Sequence, residues 1–167
     1  MPALILFRHG KSDWDADDGG EDRGRPLARR GRKAARRMGR FLARSEQVPD
    51  AAITSPAVRA DDTLRLAMEG GGWTCPVRTA ASLYGGGVTG LLAEVQLEPD
   101  TTDVLLAVGH EPTWSSALMV LVGGGAVRFP TAALARVDLD VDRWDEVAPG
   151  TGVLTWLVVP RLLAGDA

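Results

Sequence analysis

The protein has 167 residues, of which 45% are hydrophobic and 25% are charged, and its formal net charge is −3. This length is typical of a single domain, so one domain over residues 1–167 is expected. One cysteine excludes an internal disulfide framework, and one cysteine with two histidines cannot form a zinc site by themselves. The mildly negative charge gives no indication of nucleic-acid binding.

The apolar runs, the first residues and the distribution of charge predict the location of the protein and the surfaces it binds. No apolar run approaches the ~18 residues of a membrane span, and the first residues lack the pattern of a signal peptide. We therefore expect a cytoplasmic monomer that binds neither membranes nor nucleic acids.

Six acids lie between Asp13 and Asp22, and ten of the 19 basic residues lie between Arg23 and Arg44. The basic segment is either a solvated helix face or a rim that attracts an acidic protein.

Hydrophobic periodicity predicts strands that alternate with helices. Strands are predicted, in chain order, at Leu4–Phe7, Ala51–Ile53, Pro76–Thr79, Val104–Val108, Ala135–Val141 and Val153–Val159. Helices are predicted at Pro26–Arg44, from an N-cap at Ser55 to Glu69, at Val88–Gln96 and at Thr113–Val122. The strand at Ala135–Val141 alternates apolar and polar residues, so it is expected to be half exposed. The whole pattern predicts an α/β fold, a three-layer α/β/α sandwich with a mostly parallel central sheet.

Chemically distinctive residues follow three of the predicted strands. Arg8 and His9 follow the first, Ser55 to Arg59 follow the second, and His110 follows the fourth. Ligands of open α/β sheets bind beyond the carboxyl ends of the strands. Arg8 continues a run that should be buried, and a buried cation needs an anion. The residues form either a shared anion site or a buried ion pair beside two structural histidines.

The residue types favour a phosphoryl group as the anion. Guanidinium binds phosphate oxygens through two parallel hydrogen bonds and stays charged at any working pH. A neutral imidazole can attack phosphorus and form a covalent intermediate. Other phosphate-binding motifs fail on spacing. A P-loop ending at Gly10-Lys11-Ser12 would need glycine at Ile5, and a cysteine phosphatase loop starting at Cys75 would need arginine at Ala81.

Several short motifs occur along the first two thirds of the sequence: Leu4–Trp14 (LILFRHGKSDW), Arg25-Pro26-Leu27, Arg30-Gly31, Ser55-Pro56-Ala57-Val58-Arg59-Ala60, Thr63 and Gly109-His110-Glu111-Pro112. Together they resemble the motifs of the histidine phosphatase superfamily, whose members are phosphoglycerate mutase-like. The short length and the RPLxxRG segment are most similar to the SixA subgroup of phosphohistidine phosphatases. The residues after Pro112 carry no motif of the family.

The resemblance implies a role for each matching residue. His9 matches the nucleophile that becomes phosphorylated, and Arg8, Arg59 and His110 match the residues that hold the phosphoryl group. Ser12 lies in the loop after the signature, where its side chain or backbone N–H is expected to add a phosphate contact. Family members of this kind use no metal and no organic cofactor. The resemblance thus implies a metal-independent phosphatase that acts on a phosphorylated protein or a small phosphorylated substrate.

One departure from the family bears on the substrate. Many members that cleave phosphate esters carry an acid that protonates the leaving oxygen, but the corresponding loop here, Ser82–Gly87, contains none. Another acid can supply this proton, namely Asp13, Glu94 or Glu111, but none of them matches the family motif. Imidazole takes up a proton near pH 6.5 without assistance, so the absence favours phosphohistidine in a protein. The alternatives are a phosphomonoesterase for a small metabolite and a non-catalytic module that binds phosphorylated partners.

Overall fold

The structure, a computed structural model, describes residues 1–16 and 20–165. Part of the acidic loop noted in the sequence, residues 17–19, lies outside the described residues. The described strands are β1 (Ala3–Arg8), β2 (Ala51–Thr54), β3 (Val77–Thr79), β4 (Val104–Gly109), β5 (Leu134–Leu139) and β6 (Gly152–Val158). The described α-helices are α1 (Arg29–Arg44), α2 (Val58–Gly71), α3 (Gly87–Val95) and α4 (Thr113–Val122).

The strands form one sheet in the order β3-β2-β4-β1-β5-β6. The first four strands in this order are mutually parallel, whereas β5 and β6 run antiparallel to their neighbours. The apolar runs of β1 and β4 are buried on both faces because these strands occupy the centre of the sheet. The mostly parallel sheet predicted from the sequence is therefore confirmed.

Helices cover both faces of the sheet, which gives the predicted three layers. On one face, Met38 and Leu42 of α1 and Leu64 of α2 pack against Ile5 and Phe7 of β1. On the other face, residues of α3 and α4 pack against Leu4 and Leu6. Alternate side chains of a strand point to opposite faces, so β1 contributes to both cores.

Helices α1 and α2 lie unusually close together because α1 carries a glycine at their contact. A Cβ atom on Gly39 would lie 1.8 Å from the carbonyl oxygen of Ala67 in α2. The side chain of Trp73 donates a hydrogen bond to the Gly39 carbonyl at 3.1 Å and closes the same contact. Within the described residues, no helix combines the length and the apolar character needed to cross a membrane.

Three element predictions need correction. Helix α1 begins at Arg29, since Leu27 pairs with Ser12 in an extended bridge and Ala28 donates to the Lys11 carbonyl. Ser55 is not the N-cap of α2, which begins at Val58, although its hydroxyl accepts a 3.3 Å bond from the Ala57 amide.

The third correction concerns the last two strands. β5 was expected to be half exposed, but four of its six residues are buried because it lies between β1 and β6. β6 has the apolar composition of a buried strand, yet it forms the sheet edge and Val153 is 63% exposed. Composition alone cannot distinguish an edge strand from a central one, because the difference depends on which strands lie beside it.

Candidate active site

Three neighbouring strands end at one edge of the sheet and deliver the predicted site residues there. β1 and β4 are adjacent, with Arg8 paired to Gly109, so His9 and His110 follow paired strand ends. β2 lies on the other side of β4, and the turn after it leads into α2 with Arg59 as its second residue. All five predicted site residues line one cavity of about 270 Å³, namely Arg8, His9, Ser12, Arg59 and His110. The rest of its lining comprises Lys11, Trp14, Arg25, Glu111 and Thr131.

His9 has a free ring nitrogen and is held as a neutral imidazole. Its Nδ1 lies 2.7 Å from the Gly10 carbonyl oxygen, and because a carbonyl only accepts, Nδ1 carries the proton. Nε2 is then unprotonated and retains its lone pair. Burial is the main cause that lowers the pKa of His9, to about 3, and the hydrogen bond to Gly10 opposes this effect. Electrostatic repulsion from His110, Arg59 and Arg8 lowers the pKa further. The geometry therefore provides a nucleophile near neutral pH.

The loop that carries His9 is fixed to both neighbouring helices. The Gly10 amide donates to the hydroxyl of Thr63 at 2.9 Å, and this hydroxyl donates to the Arg59 carbonyl at 2.6 Å. On the side of α1, a Cβ atom on Gly31 would lie 2.2 Å from the Lys11 carbonyl oxygen. Only glycine at this position allows the loop to rest on the first turn of α1.

His110 faces His9 across the cavity and is supported by a serine. The two ring centroids are 5.1 Å apart, and the His110 Nε2 lies 2.7 Å from the hydroxyl oxygen of Ser55. Tyr84 packs its ring edge-on against His110, with centroids 5.6 Å apart. Burial and then the charge of Arg59 lower the pKa of His110 to about 4. His110 is therefore also neutral near pH 7 while no anion is bound.

The two guanidinium groups are each held by groups at the margin of the cavity. Arg8 donates through Nη1 to the Phe129 carbonyl at 2.8 Å, and burial lowers its pKa. Arg59 is only 5% exposed and donates to Asp22, through Nη1 to the carbonyl oxygen at 2.6 Å and through Nη2 to the carboxylate at 2.9 Å. These bonds fix where the cations sit and leave the Nε atom of each free.

Buried nitrogen atoms without partners mark the cavity as an anion site. In the described part of the chain, Nε of Arg8, Nε of Arg59 and Nδ1 of His110 are buried and make no hydrogen bond. A buried polar group left unpaired costs about 1–3 kcal/mol. All three belong to residues that line the same cavity, whereas the fourth such atom of the described chain, Nε1 of Trp114, lies elsewhere. This geometry favours the shared anion site over a structural ion pair.

Asp22 is a site residue that the sequence analysis missed. Its carboxylate contacts Arg59, accepts a bond from the Tyr84 hydroxyl at 2.8 Å, and pairs with Arg25 at 2.7 Å. The Tyr84 bond, and then the bond and charge of Arg59, lower the pKa of Asp22 to about 2 against the opposing effect of burial. The only indication in the sequence is the position of Asp22 three residues before the motif arginine at 25.

Ser12 lies in the wall of the cavity, and its hydroxyl has a structural contact. It is 5% exposed, and its oxygen accepts a bond from Nε of Arg25 at 3.1 Å. The guanidinium of Arg25 lies over the ring of Trp14, 3.5 Å from the centroid. Ser12 and Trp14 thus hold Arg25 at the cavity wall, where it adds a third arginine to the site.

Of the three acids considered as proton donors, only Glu111 lines the cavity. Its Oε2 accepts bonds from the amide and the hydroxyl of Ser115, both at 2.9 Å. Glu94 is engaged elsewhere, by the Ser82 hydroxyl at 2.5 Å and by Arg78. Asp13 accepts a bond from the Asp15 amide within its own exposed turn. Among the described lining residues, Glu111 is the one carboxylate.

The fold and the site together define a class of protein. A neutral imidazole nucleophile lies at the carboxyl edge of an α/β sheet, inside a ring of arginine and histidine donors. No three His, Cys, Asp or Glu side chains of the described residues are grouped so that they could hold a metal ion. Such an arrangement is suited to phosphoryl transfer through a covalent enzyme intermediate.

Comparisons with known proteins identify the family. The chain matches the model of the histidine phosphatase superfamily (branch 1) over residues 4–85. An uncharacterized protein of Mycobacterium tuberculosis is 35% identical over 165 residues, which cover 93% of this chain and 100% of the relative. The solved structure of the protein histidine phosphatase SixA complexed with tungstate has a TM-score of 0.83 at 26% identity, covering 96% of this chain and 99% of that chain. The structure of a candidate phosphohistidine phosphatase SixA from Nakamurella multipartitia has a TM-score of 0.81 at 28% identity, covering 95% of this chain and 96% of that chain.

The chain belongs to the histidine phosphatase superfamily and is SixA-like in structure. The protein is therefore a phosphatase with a phosphoglycerate mutase-like fold.

Proposed function

We propose that the protein hydrolyses phosphohistidine in a protein substrate through a phosphorylated His9 intermediate. The observation that carries the proposal is the unprotonated Nε2 of His9 in a cavity lined by Arg8, Arg59 and His110, each of which has a buried nitrogen without a partner in the described chain. The similarity to the protein histidine phosphatase SixA, solved with the tetrahedral oxyanion tungstate, supports both the reaction and the substrate class.

The first step transfers the phosphoryl group to the enzyme. The lone pair of His9 Nε2 attacks phosphorus, a P–N bond to the enzyme forms, and the P–N bond to the substrate histidine breaks. The substrate ring carries a proton from solvent on its other nitrogen, so it keeps the electron pair of the broken bond and leaves as a neutral imidazole. Arg8, Arg59 and His110 stabilise the negative charge on the equatorial oxygens during the transfer.

The second step releases phosphate. A water molecule attacks the phosphorus bound to His9, the P–Nε2 bond breaks, and the electron pair returns to His9. Inorganic phosphate and a proton leave, and His9 regains its starting tautomer because Nδ1 stays bonded to the Gly10 carbonyl. Both steps use the same donors, so one cavity serves the whole cycle.

The chemistry of the leaving group supports the proposed substrate class. An imidazole leaves without help from an enzyme acid, because it is readily protonated near pH 6.5. An alkoxide needs a proton donor. The loop that carries the acid in ester-cleaving relatives reads Ser82–Gly87 here, and of its residues Tyr84 contacts Asp22 and His110 instead.

The intermediate can be tested by rapid quench with a 32P-labelled phosphohistidine peptide. We expect a burst of acid-labile, base-stable phosphoenzyme that precedes phosphate release and is absent from His9→Ala. His110→Ala should slow the burst while leaving it detectable. Normal turnover by His9→Ala would rule out the mechanism. A parallel panel of phosphohistidine peptide, sugar phosphates and an aryl phosphate compares kcat/KM and tests the substrate class.

A second candidate, hydrolysis of a small phosphate ester, is favoured by one observation. Glu111 lines the cavity and has one carboxylate oxygen, Oε1, outside its bonds to Ser115. If Glu111 protonates an alkoxide, Glu111→Gln should reduce kcat/KM for an alkyl phosphate by about 10²-fold and spare phosphohistidine. Equal, small effects on both substrates would remove this candidate.

A further inference from the structure

A second, larger cavity adjoins the catalytic one. It measures about 550 Å³, and Lys11 and Thr131 belong to the lining of both cavities. Its walls come from the first turns of α1, from the loop before β5 and from the segment after β6. The loop before β5 also supplies the Phe129 carbonyl that holds Arg8. We call this space the basic cavity.

Four cations converge on the basic cavity, and among residues 1–16 and 20–165 no carboxylate lines it. The four side chains are those of Lys11, Arg30, Arg128 and Arg161. Within residues 1–16 and 20–165, none of these four side chains forms an ion pair or a hydrogen bond. Most other arginines in the described chain are engaged, for example Arg65 with Asp62 at 3.0 Å. The basic cavity therefore concentrates unneutralised positive charge beside the catalytic site.

The basic face of α1 is not a single surface. Arg30, in the first turn, lines the basic cavity. Arg36 instead pairs with Glu69 of α2 at 3.3 Å, and Arg37 donates to the Pro160 carbonyl at 3.5 Å. A helix rises 1.5 Å per residue, so Arg40 lies about 15 Å along the axis from Arg30. Only the start of this helix is placed to meet a molecule bound in the catalytic cavity.

The charge and shape of the basic cavity indicate what it binds. A cavity lined by one sign of charge attracts ligands of the opposite sign and raises their association rate. Three of the cations, at positions 30, 128 and 161, are exposed on flexible side chains, which suits several carboxylates in variable positions more than one fixed phosphate. The basic cavity is about twice as large as the catalytic one and joins it at Lys11. A segment whose phosphohistidine enters the catalytic cavity would thus place its neighbouring residues among these cations.

We infer that the basic cavity is a docking site for acidic side chains next to the phosphohistidine of the protein substrate. This inference rests on the proposed function and extends it to substrate selection. Arg30, Arg128 and Arg161 determine specificity without taking part in the chemistry, while Lys11 lies at the junction of the two cavities.

Two synthetic phosphohistidine peptides test the inference. One carries Asp and Glu residues around the phosphohistidine, and the other carries Asn and Gln at the same positions. The enzyme variants are the triple charge reversal Arg30→Glu, Arg128→Glu and Arg161→Glu, and a control with Arg40→Glu, Arg44→Glu and Arg143→Glu. The control changes the net charge equally at a distance from the site, since Arg143 follows the end of β5 that pairs with the start of β1.

We expect the triple reversal to lower kcat/KM for the acidic peptide by about tenfold or more, mainly through KM, and to weaken the salt dependence of the rate. Turnover of the neutral peptide by the triple reversal, and of both peptides by the control, should change less than about twofold. An equal loss on both peptides would overturn the inference, because the residues would then act through the fold or the chemistry. An unchanged preference for the acidic peptide would also overturn it.

The same assay separates this inference from the proposed function. If the unmodified enzyme hydrolyses neither peptide but hydrolyses a sugar phosphate, the proposed function fails and the docking role fails with it. If it hydrolyses both peptides and the triple reversal has no selective effect, only the docking role fails. A selective loss on a sugar bisphosphate, with both peptides unaffected, would instead assign the basic cavity to a second phosphate and overturn the inference.

Discussion

The Asp22 carboxylate holds the outer edge of the Arg59 guanidinium, with Asp22 Oδ2 2.9 Å from Arg59 Nη2. The backbone carbonyl of Asp22 accepts a second bond from Nη1 at 2.6 Å, so hydrogen bonds hold both terminal nitrogens of the Arg59 guanidinium. Its buried Nε is left unpaired at the cavity. Asp22 thus fixes the rotation of the Arg59 guanidinium at the cavity wall.

Replacement of Asp22 by Asn should weaken this positioning. The variant keeps the backbone bond to Arg59 but loses the charged partner of Arg59 and Arg25. Because the Asp22 side chain is about half exposed, we expect a modest loss of about five- to tenfold in kcat/KM. Steady-state kinetics on a phosphohistidine peptide provides the measurement. Asp62→Asn, which removes a carboxylate paired with exposed Arg65, should retain full activity; a similar loss there would contradict a specific role for Asp22.

The two histidines should make stability depend on pH. Their pKa values in the fold, about 3 for His9 and about 4 for His110, lie below the 6.5 of an unperturbed histidine. The unfolded chain therefore binds protons first, and the free energy of unfolding should decrease as pH falls from about 6.5 toward 4. We expect about 1–2 kcal/mol per histidine between pH 7 and 5, measured by urea denaturation.

Two comparisons test the origin of this pH dependence. The chain contains two histidines, so His9→Asn and His110→Asn should each flatten the profile between pH 7 and 5. Saturating inorganic phosphate should also reduce the slope, because a bound anion favours the protonated form of His110. A profile that stays steep when both histidines are replaced would contradict the assignment.

Removal of the Ser55 hydroxyl should impair His110. Ser55 is fully buried and lies 2.7 Å from the His110 Nε2, so Ser55→Ala leaves that nitrogen without its partner. An unpaired buried group costs about 1–3 kcal/mol, and we expect kcat to fall by about tenfold with a lower melting temperature. Ser116→Ala, on the exposed side of α4, should match the unmodified protein. Unchanged kcat in Ser55→Ala would show that His110 needs no support.

Substitution of Gly31 should separate the catalytic loop from α1. A Cβ atom added at this position would lie 2.2 Å from the Lys11 carbonyl oxygen. The clash is with the backbone of the loop, so no flexible side chain can move aside to relieve it. We expect Gly31→Ala to destabilise the fold by about 1–3 kcal/mol in chemical denaturation, as overpacking does, and to reduce kcat/KM. Gly165→Ala has no atom within 4 Å of the added Cβ and should be neutral. Full stability in Gly31→Ala would mean that the loop and helix can move apart at no cost.

The sequence predicted the strand ends and the residues that follow them, because buried strands and short motifs are local patterns. His9 and His110 were placed together from the general rule that parallel strands present their carboxyl ends at one edge. Asp22 and Tyr84 were missed, since their contact joins loops 62 residues apart and leaves no local pattern. The sequence pattern predicts one basic face on α1. In the structure, Arg36 pairs with Glu69 of α2 and Arg37 contacts Pro160 after β6, so the basic residues do not form one continuous surface.

The position of β1 has a consequence for when the nucleophile can be assembled during synthesis. This strand precedes both β4 and β5 in the chain, yet it lies between them in the finished sheet. The His9 carbonyl accepts a bond from the Ala132 amide, and the Arg8 amide donates to the Ala133 carbonyl. A nascent chain that has not yet emerged beyond β5 cannot complete these bonds. The segment from β1 to the start of β5 must therefore leave the ribosome before the residue that begins the reaction is held in place.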